Sequence, residues 1–248
     1  AGRIVETPVD EHQANFLRNP RSPWNVYVPV GSLARGEELV ATGAGKTTLV
    51  GIISGRISPT TGKILFEGNN ITSLRGWQCV NRGIVYTFQI TSIYERLTCY
   101  ENVALSAQRR AMSGVFGPLA LGERRISERV EAVLLQVGLS DSRDQAAGTL
   151  SYGYQRLLEV AMGLALDPRL LILDEPTQGL AQEEILRFCD LIRTISKRST
   201  VLLIEHNMAV VLSLAQKVTV MDKGTIIAEG TPEAIEQNPE VQRAYLGR

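Results

Sequence analysis

The sequence lacks a surplus of either charge: 26 Lys and Arg stand against 26 Asp and Glu, for a formal net charge of zero. Such a surface offers no broad attraction to nucleic acid or to an anionic membrane, so no nucleic-acid partner is expected. It also lacks paired cysteines. Cys79, Cys99 and Cys189 are odd in number and scattered, without a CxxC spacing, and read as plain buried thiols in a reducing compartment. Long apolar runs are missing as well. The longest, Leu170-Leu171-Ile172-Leu173 and Val201-Leu202-Leu203-Ile204, fall far short of the ~20 residues that span a bilayer. No basic-then-apolar signal opens the chain, and the expectation is a cytosolic protein that forms no membrane path itself. With no internal repeat, low-complexity tract or long linker, the 248 residues, 44% apolar, read as one domain able to bury a sizeable core.

What is present is an alternation of short strands and helices. Pro8, Pro20 and Pro23 break any long element in residues 1–35, and the alternation Val26, Val28, Val30, interrupted by Pro29, predicts an edge strand. Residues 38–41 predict a short strand, residues 43–48 a glycine loop, and Leu49, Val50, Ile52 and Ile53 a helix running to Gly55. Residues 63–67 form a further predicted strand closed by Gly68-Asn69-Asn70, and Ile84-Val85-Tyr86 a buried one ending near Gln89. Between 97 and 166 strand signals fade. Ile126, Val130, Val133, Leu134 and Val137 recur at helical spacing until Gly138 stops the helix. The runs at 170–173 and 201–204 have the continuous apolar pattern of strands covered on both faces. They flank a helix predicted over 182–197, which implies a right-handed parallel crossover. Residues 218–221 and 225–228 read as a hairpin joined through Asp222-Lys223-Gly224, followed by a last short helix.

Four stretches carry chemistry. In Gly43-Ala44-Gly45-Lys46-Thr47-Thr48 small residues let backbone N–H groups approach phosphate oxygens, and the following helix N-terminus adds a favourable field. Lys46 reaches the β- and γ-phosphates as a point charge, and the Thr47 hydroxyl takes a place on Mg²⁺. A glycine turn capped by threonines is the other reading, because the full phosphate-loop pattern wants Gly where Val40 stands. Leu171-Ile172-Leu173-Asp174-Glu175 is an apolar strand ending in two carboxylates, costly to bury without compensation. At the C-terminal edge of a parallel sheet, Mg²⁺ suits Asp174 and an attacking water suits Glu175; solvated strand-end residues are the alternative. Val201-Leu202-Leu203-Ile204-Glu205-His206 repeats the design and brings one of two histidines to a strand end, a position where a lone histidine is more often structural. Leu150-Ser151-Tyr152-Gly153-Tyr154-Gln155-Arg156 opens an apolar helix with an N-cap and exposed N–H donors, a second anion site. A phosphate enzyme with a single site has no evident use for it, but a dimer sandwiching nucleotide does.

In order along the chain, GAGKTT, Gln89 in TFQ, LSYGYQR, LLILDEP and His206 in LLIEH resemble the nucleotide-binding subunit of ATP-binding cassette (ABC) transporters over residues 31–248. GIVYTFQ, ERLTCYENVALSAQRR, LSYG and AEGTPEAIEQNPEVQRAYLG are similar to the branched-chain amino acid uptake subgroup; ATPases for urea, short amides and other small polar solutes look alike. The resemblance implies an α/β fold with a P-loop NTPase core, a mainly parallel sheet, an N-terminal antiparallel β subdomain and an inserted α-helical subdomain. Residues 1–89 would hold the antiparallel part and phosphate loop, 90–166 the helical part and 167–248 the rest of the core. It implies Gly43, Ala44, Gly45, Lys46, Thr47 and Thr48 as the phosphate loop, Gln89 as the residue approaching Mg²⁺ and facing the membrane partner, and Asp174 as the metal-associated aspartate. Glu175 resembles the general base, His206 the switch histidine on the γ-phosphate, and Ser151, Gly153 and Gln155 the signature closing over ATP held by the opposite subunit. ATP and Mg²⁺ are the implied ligands. The implied partners are transmembrane permease subunits reached through residues 89–102, a second ATPase subunit that is either a copy or a sister, and indirectly an extracytoplasmic solute-binding protein. The location that follows is peripheral, on the cytoplasmic face of the membrane, and the implied activity is ATP hydrolysis powering solute uptake.

The sequence departs from that family in places. About eight residues usually separate the entry Glu from GAGK in that family, whereas only residues 38–42 follow Glu37 here; the three missing residues belong to the stretch that normally carries the first glycine and a Pro-Asn pair, so either the phosphate loop is truncated or a flexible loop is absent from this sequence, the second being the expectation. Phe16, Trp24 and Tyr27 are equal candidates for stacking on adenine, Ala181 stands at an aspartate position, and Tyr154 replaces a common Gln or Glu. The short loop leaves open a weakly binding scaffold or regulatory subunit. A non-transport relative acting on ribosomes or DNA ends is the third reading, although tandem cassettes and long coiled-coil insertions are missing.

Overall fold

The structure, a computed structural model, describes residues 5–8, 24–28, 38–42, 46–87, 92–112, 123–222 and 224–246. Strands β1 (Val5–Pro8), β2 (Trp24–Val28) and β3 (Glu38–Thr42) precede helix α1 (Lys46–Ile53), which is followed by β4 (Lys63–Phe66), β5 (Asn69–Asn70), α2 (Gly76–Asn81) and β6 (Ile84–Thr87). Three helices come next, α3 (Cys99–Met112), α4 (Glu123–Val137) and α5 (Tyr152–Ala165). The rest alternates: β7 (Leu170–Asp174), α6 (Gln182–Ile195), β8 (Thr200–Ile204), α7 (Met208–Leu214), β9 (Lys217–Asp222), β10 (Thr225–Gly230), α8 (Pro232–Glu236) and α9 (Pro239–Leu246).

Period-two alternation decides the layering. In β6, β7 and β8 the even residues Ile84, Leu170, Ile172, Leu202 and Ile204 pack with Val50 and Ile53 of α1 and with Ile64 and Phe66 of β4. The odd residues Val85, Leu171, Leu173, Val201 and Leu203 pack on the other face with apolar side chains of α3, α4, α5 and α6. Both faces are therefore dry, which is why these strands read as continuous apolar runs, and each fully buried side chain contributes about 1.5–3 kcal/mol. The large sheet has the order β10-β9-β3-β8-β7-β6. All its ladders are parallel except β9 with β10. Gly138, with φ 77°, ends α4 in a left-handed conformation that costs glycine nothing.

The second sheet, ordered β1-β2-β4-β5, holds antiparallel ladders at β1/β2 and β4/β5 and a parallel one at β2/β4. The strand expected at the edge is instead interior: over Trp24–Val28, β2 pairs with β1 on one side and β4 on the other, while Pro29 and Val30 lie outside the described residues. The chain also closes on two short helices, not one. Cys79, Cys99 and Cys189 are unbridged and buried as expected, and burial pushes all three thiols up. Among the described residues no helix is long and apolar enough to cross a membrane.

Candidate functional site

Register aligns the strand ends. Ala41 of β3 and Asp174 of β7 both pair with Ile204 of β8, so the loops leaving β3, β7 and β8 start side by side. They then diverge. The chain leaves β3 for α1 on one face of the sheet, and leaves β8 for α7, whose Val210 and Val211 pack on the other face. This reversal between adjacent strands is the topological switch point, outside whose carboxyl ends open α/β sheets bind ligands.

Asp174 has even parity, so it lies on the α1 side with Tyr86, whose Oη donates to Asp174 Oδ2 at 2.8 Å. Only 2% of Asp174 is exposed. Burial first, then the hydrogen bond to Asp174, pushes the Tyr86 phenol up to about 12, while Arg56, 5.0 Å over its ring, acts in the opposite direction. The phenol is thus a permanent donor to that carboxylate.

Glu175 follows with φ 47°, a left-handed backbone uncommon outside glycine and of the kind that clusters at functional sites. Its N–H donates to Ile204 O at 2.9 Å, and its Oε1 lies 3.7 Å from His206 Nδ1. Between the strand ends sits Glu205, fully buried, accepting from groups of Thr177, His206 and Asn207. The Asn207 side chain in turn accepts from the N–H groups of Ala209 and Val210, opening α7 directly after His206. Asp174, Glu175 and His206 therefore stand at the adjoining ends of β7 and β8.

Of the glycine-loop residues, Lys46 is the first residue of α1, and Thr47 and Thr48 are exposed in its first turn. Gly43, Ala44, Gly45 and Gln89 lie outside the described residues, as does Phe16, while Trp24 and Tyr27 belong to β2. Ser151 caps α5, its Oγ accepting from Tyr154 N at 3.5 Å. Gln155 turns back, its Nε2 donating to the carbonyls of Ala147 and Leu150 at 3.3 Å each, and so braces the turn that presents Ser151. At Gly153 a Cβ would run into the Glu184 carboxylate, whose Oε2 accepts from Ala181 N at 2.8 Å. Glycine there lets the first turn of α6 close on the first turn of α5. Sequence reasoning missed Tyr86, Thr177, Glu184 and the part played by Glu205. Only Glu205 had left a signal, a carboxylate directly after an apolar run.

A parallel sheet with a glycine loop and helix after an inner strand, and carboxylates at the ends of the strands beside it, is the architecture of a P-loop nucleoside-triphosphate hydrolase. The model described as ABC transporter matches residues 36–178, and that described as branched-chain amino acid ATP-binding cassette transporter matches residues 225–248. The chain belongs to the ABC transporter family and is an ATP-binding, ATP-hydrolysing subunit. It is 38% identical over 213 residues to the high-affinity branched-chain amino acid transport ATP-binding protein BraF of Pseudomonas aeruginosa, covering 83% of this chain and 84% of the relative. It is 35% identical, over the same length and shares, to LivG of Escherichia coli, which has the same described role. The crystal structure of the ADP conformation of MJ1267, an ATP-binding cassette of an ABC transporter, superposes with a TM-score of 0.75 at 27% identity, covering 86% of this chain and 89% of that one. The expected fold and family are borne out, and neither the scaffold nor the non-transport reading finds support.

Proposed function

We propose that the chain hydrolyses MgATP at the carboxyl ends of β3, β7 and β8 to power import of branched-chain amino acids or a related small polar solute. The observation that carries the reading is the approach of Glu175 to His206 at 3.7 Å, beside the buried Asp174. Glu175 orients and polarises water toward the γ-phosphate, and His206 contacts that phosphate from the adjacent strand end. Lys46 at the head of α1 meets phosphate charge, aided by the helix N-terminus. Ser151 and Gly153, with Gln155 behind them, close over ATP held by a second ATPase subunit.

The donor set suits magnesium. Asp174 offers a carboxylate and Thr47 a hydroxyl, both hard oxygens, with Gln89 the third candidate. Among the described residues no group of three His, Cys, Asp or Glu could cage a metal, in keeping with an ion that takes few protein ligands and completes its shell with phosphate and water. When bound, Mg²⁺ supplies charge neutralisation on the phosphates.

Import needs membrane partners. Support for docking through residues 92–102 comes from how firmly that segment is built: Asn102 is fully buried, its Oδ1 accepting from Tyr94 N and its Nδ2 donating to the carbonyls of Tyr94, Leu97 and Thr98. Transmembrane permease subunits would rest there, at the cytoplasmic face, and an extracytoplasmic binding protein would supply the solute. Branched-chain amino acids are taken from the described roles of BraF and LivG. The test is Glu175→Gln. It should bind ATP normally and hydrolyse it about 10²–10⁴-fold more slowly, while Lys46→Ala loses nucleotide binding. Unchanged turnover in Glu175→Gln removes Glu175 from catalysis. Leucine uptake into vesicles holding the assembled transporter should stop in the same variant.

A further inference from the structure

Glu205 is the first residue after β8 and is completely buried. A carboxylate in that setting is costly unless donors fill its oxygens. Both are filled, each from a different loop. Oε1 accepts from Thr177 N at 3.0 Å and from Thr177 Oγ1 at 2.5 Å, in the turn that follows Glu175. Oε2 accepts from the backbone N–H groups of His206 at 3.2 Å and Asn207 at 3.4 Å.

We propose that Glu205 is a positioning residue for hydrolysis: its carboxylate clamps the turn bearing Glu175 to the turn bearing His206 and so sets how closely those two side chains approach. The inference rests on the hydrolytic reading of Glu175 and His206. Glu175 needs such a clamp, because a left-handed backbone at a non-glycine residue persists only where its surroundings over-determine it. The Glu175 N–H to Ile204 carbonyl bond supplies one tie between the strand ends; Glu205 supplies the other, one turn further on.

The chemistry requires a carboxylate. All four groups facing Glu205 donate, and glutamine, though the same shape, has one accepting oxygen. Its NH₂ must then point at a pair of N–H or O–H donors, and half of the clamp opens. Glu205→Gln should therefore lower kcat about 10- to 100-fold, the cost of hydrogen bonds to a charged group, while KM for MgATP stays within about twofold. In a His206→Ala background the same change should cost almost nothing more, because its effect passes through His206.

A readout independent of turnover is the His206 ring. The protein has two histidines, so in a His12→Gln background the single imidazole can be followed by NMR at fixed pH, and Glu205→Gln should shift its ring resonances. Thr177→Val, which deletes one donor and leaves the backbone, should move turnover and ring in the same direction by less, with Thr177→Ser restoring both; this pair serves if Glu205→Gln does not fold. Native kcat with an unmoved ring, or full additivity with His206→Ala, overturns the clamp. A moved ring in a protein whose turnover ignores His206→Ala overturns the catalytic reading and leaves the clamp standing.

Discussion

Tyr86 and Asp174 share a face because β6 and β7 run parallel in a register that pairs Tyr86 with Ile172, which places the phenol one step from the carboxylate at the strand's end. Tyr86→Phe keeps the ring under Arg56 and deletes the donor, so it should destabilise the fold by about 1–2 kcal/mol. Its pH dependence follows from the raised phenol. A donor that titrates at about 12 in the fold, against the usual ~10 when unfolded, contributes stability that is complete below ~10 and lost only as pH rises through the folded value. The deficit of Tyr86→Phe, measured by urea unfolding, should therefore be equal at pH 6.5 and pH 9. Between pH 9 and pH 11 it should shrink, and a deficit that stays unchanged across that second interval would return the phenol to the ordinary range. The motif residues Asp174, Glu175 and His206 were legible because carboxylates and a histidine after apolar runs are conspicuous. Tyr86 and Thr177 were not, since a tyrosine inside a strand and a threonine in a turn look like packing and turn chemistry until register and loop closure bring them to their acceptors.

Elements were legible where burial imposes a pattern. The two-sided strands β7 and β8, the stop of α4 at Gly138 and the β9/β10 hairpin all follow from local chemistry. What failed was neighbourhood: Pro29 made β2 look like an edge, because sequence does not show that strands from before and after it, β1 and β4, flank it on both sides. Helix α6 carries a related local defect. Its N-cap position is Ala181, with the extended backbone of a cap (φ −70°, ψ 158°) and no side-chain acceptor, while Glu184 reaches back to the Ala181 N–H. Half of a capping box is in place. Ala181→Asp supplies the missing half without disturbing Glu184, and thermal unfolding should show a gain of about 0.5–2 kcal/mol. Loss of stability instead would mean that an added carboxylate beside Glu184 repels more than the cap gains.

At the scale of the whole molecule, the phosphate-binding and signature elements lie on different layers. Lys46 heads α1 on one face of the large sheet, and Ser151 caps α5, which packs with α3 and α4 on the other. If each ATP is held by the loop of one subunit and the α5 cap of its neighbour, defects at the two elements must complement. Lys46→Ala alone and Ser151→Arg alone should each be inactive. When the two purified variants are mixed, half the pairs of a freely exchanging homodimer are mixed pairs, and each of those contains one site with both elements intact. The mixture should then recover about a quarter of the native ATPase rate. Recovery identifies the second ATPase subunit as another copy of this chain. If the mixture stays inactive while both variants still pair by size-exclusion chromatography, the head-to-tail site between copies is wrong. If the native chain does not self-associate with ATP, the partner is a sister subunit, and co-expression with that subunit, one defect on each chain, must restore the rate.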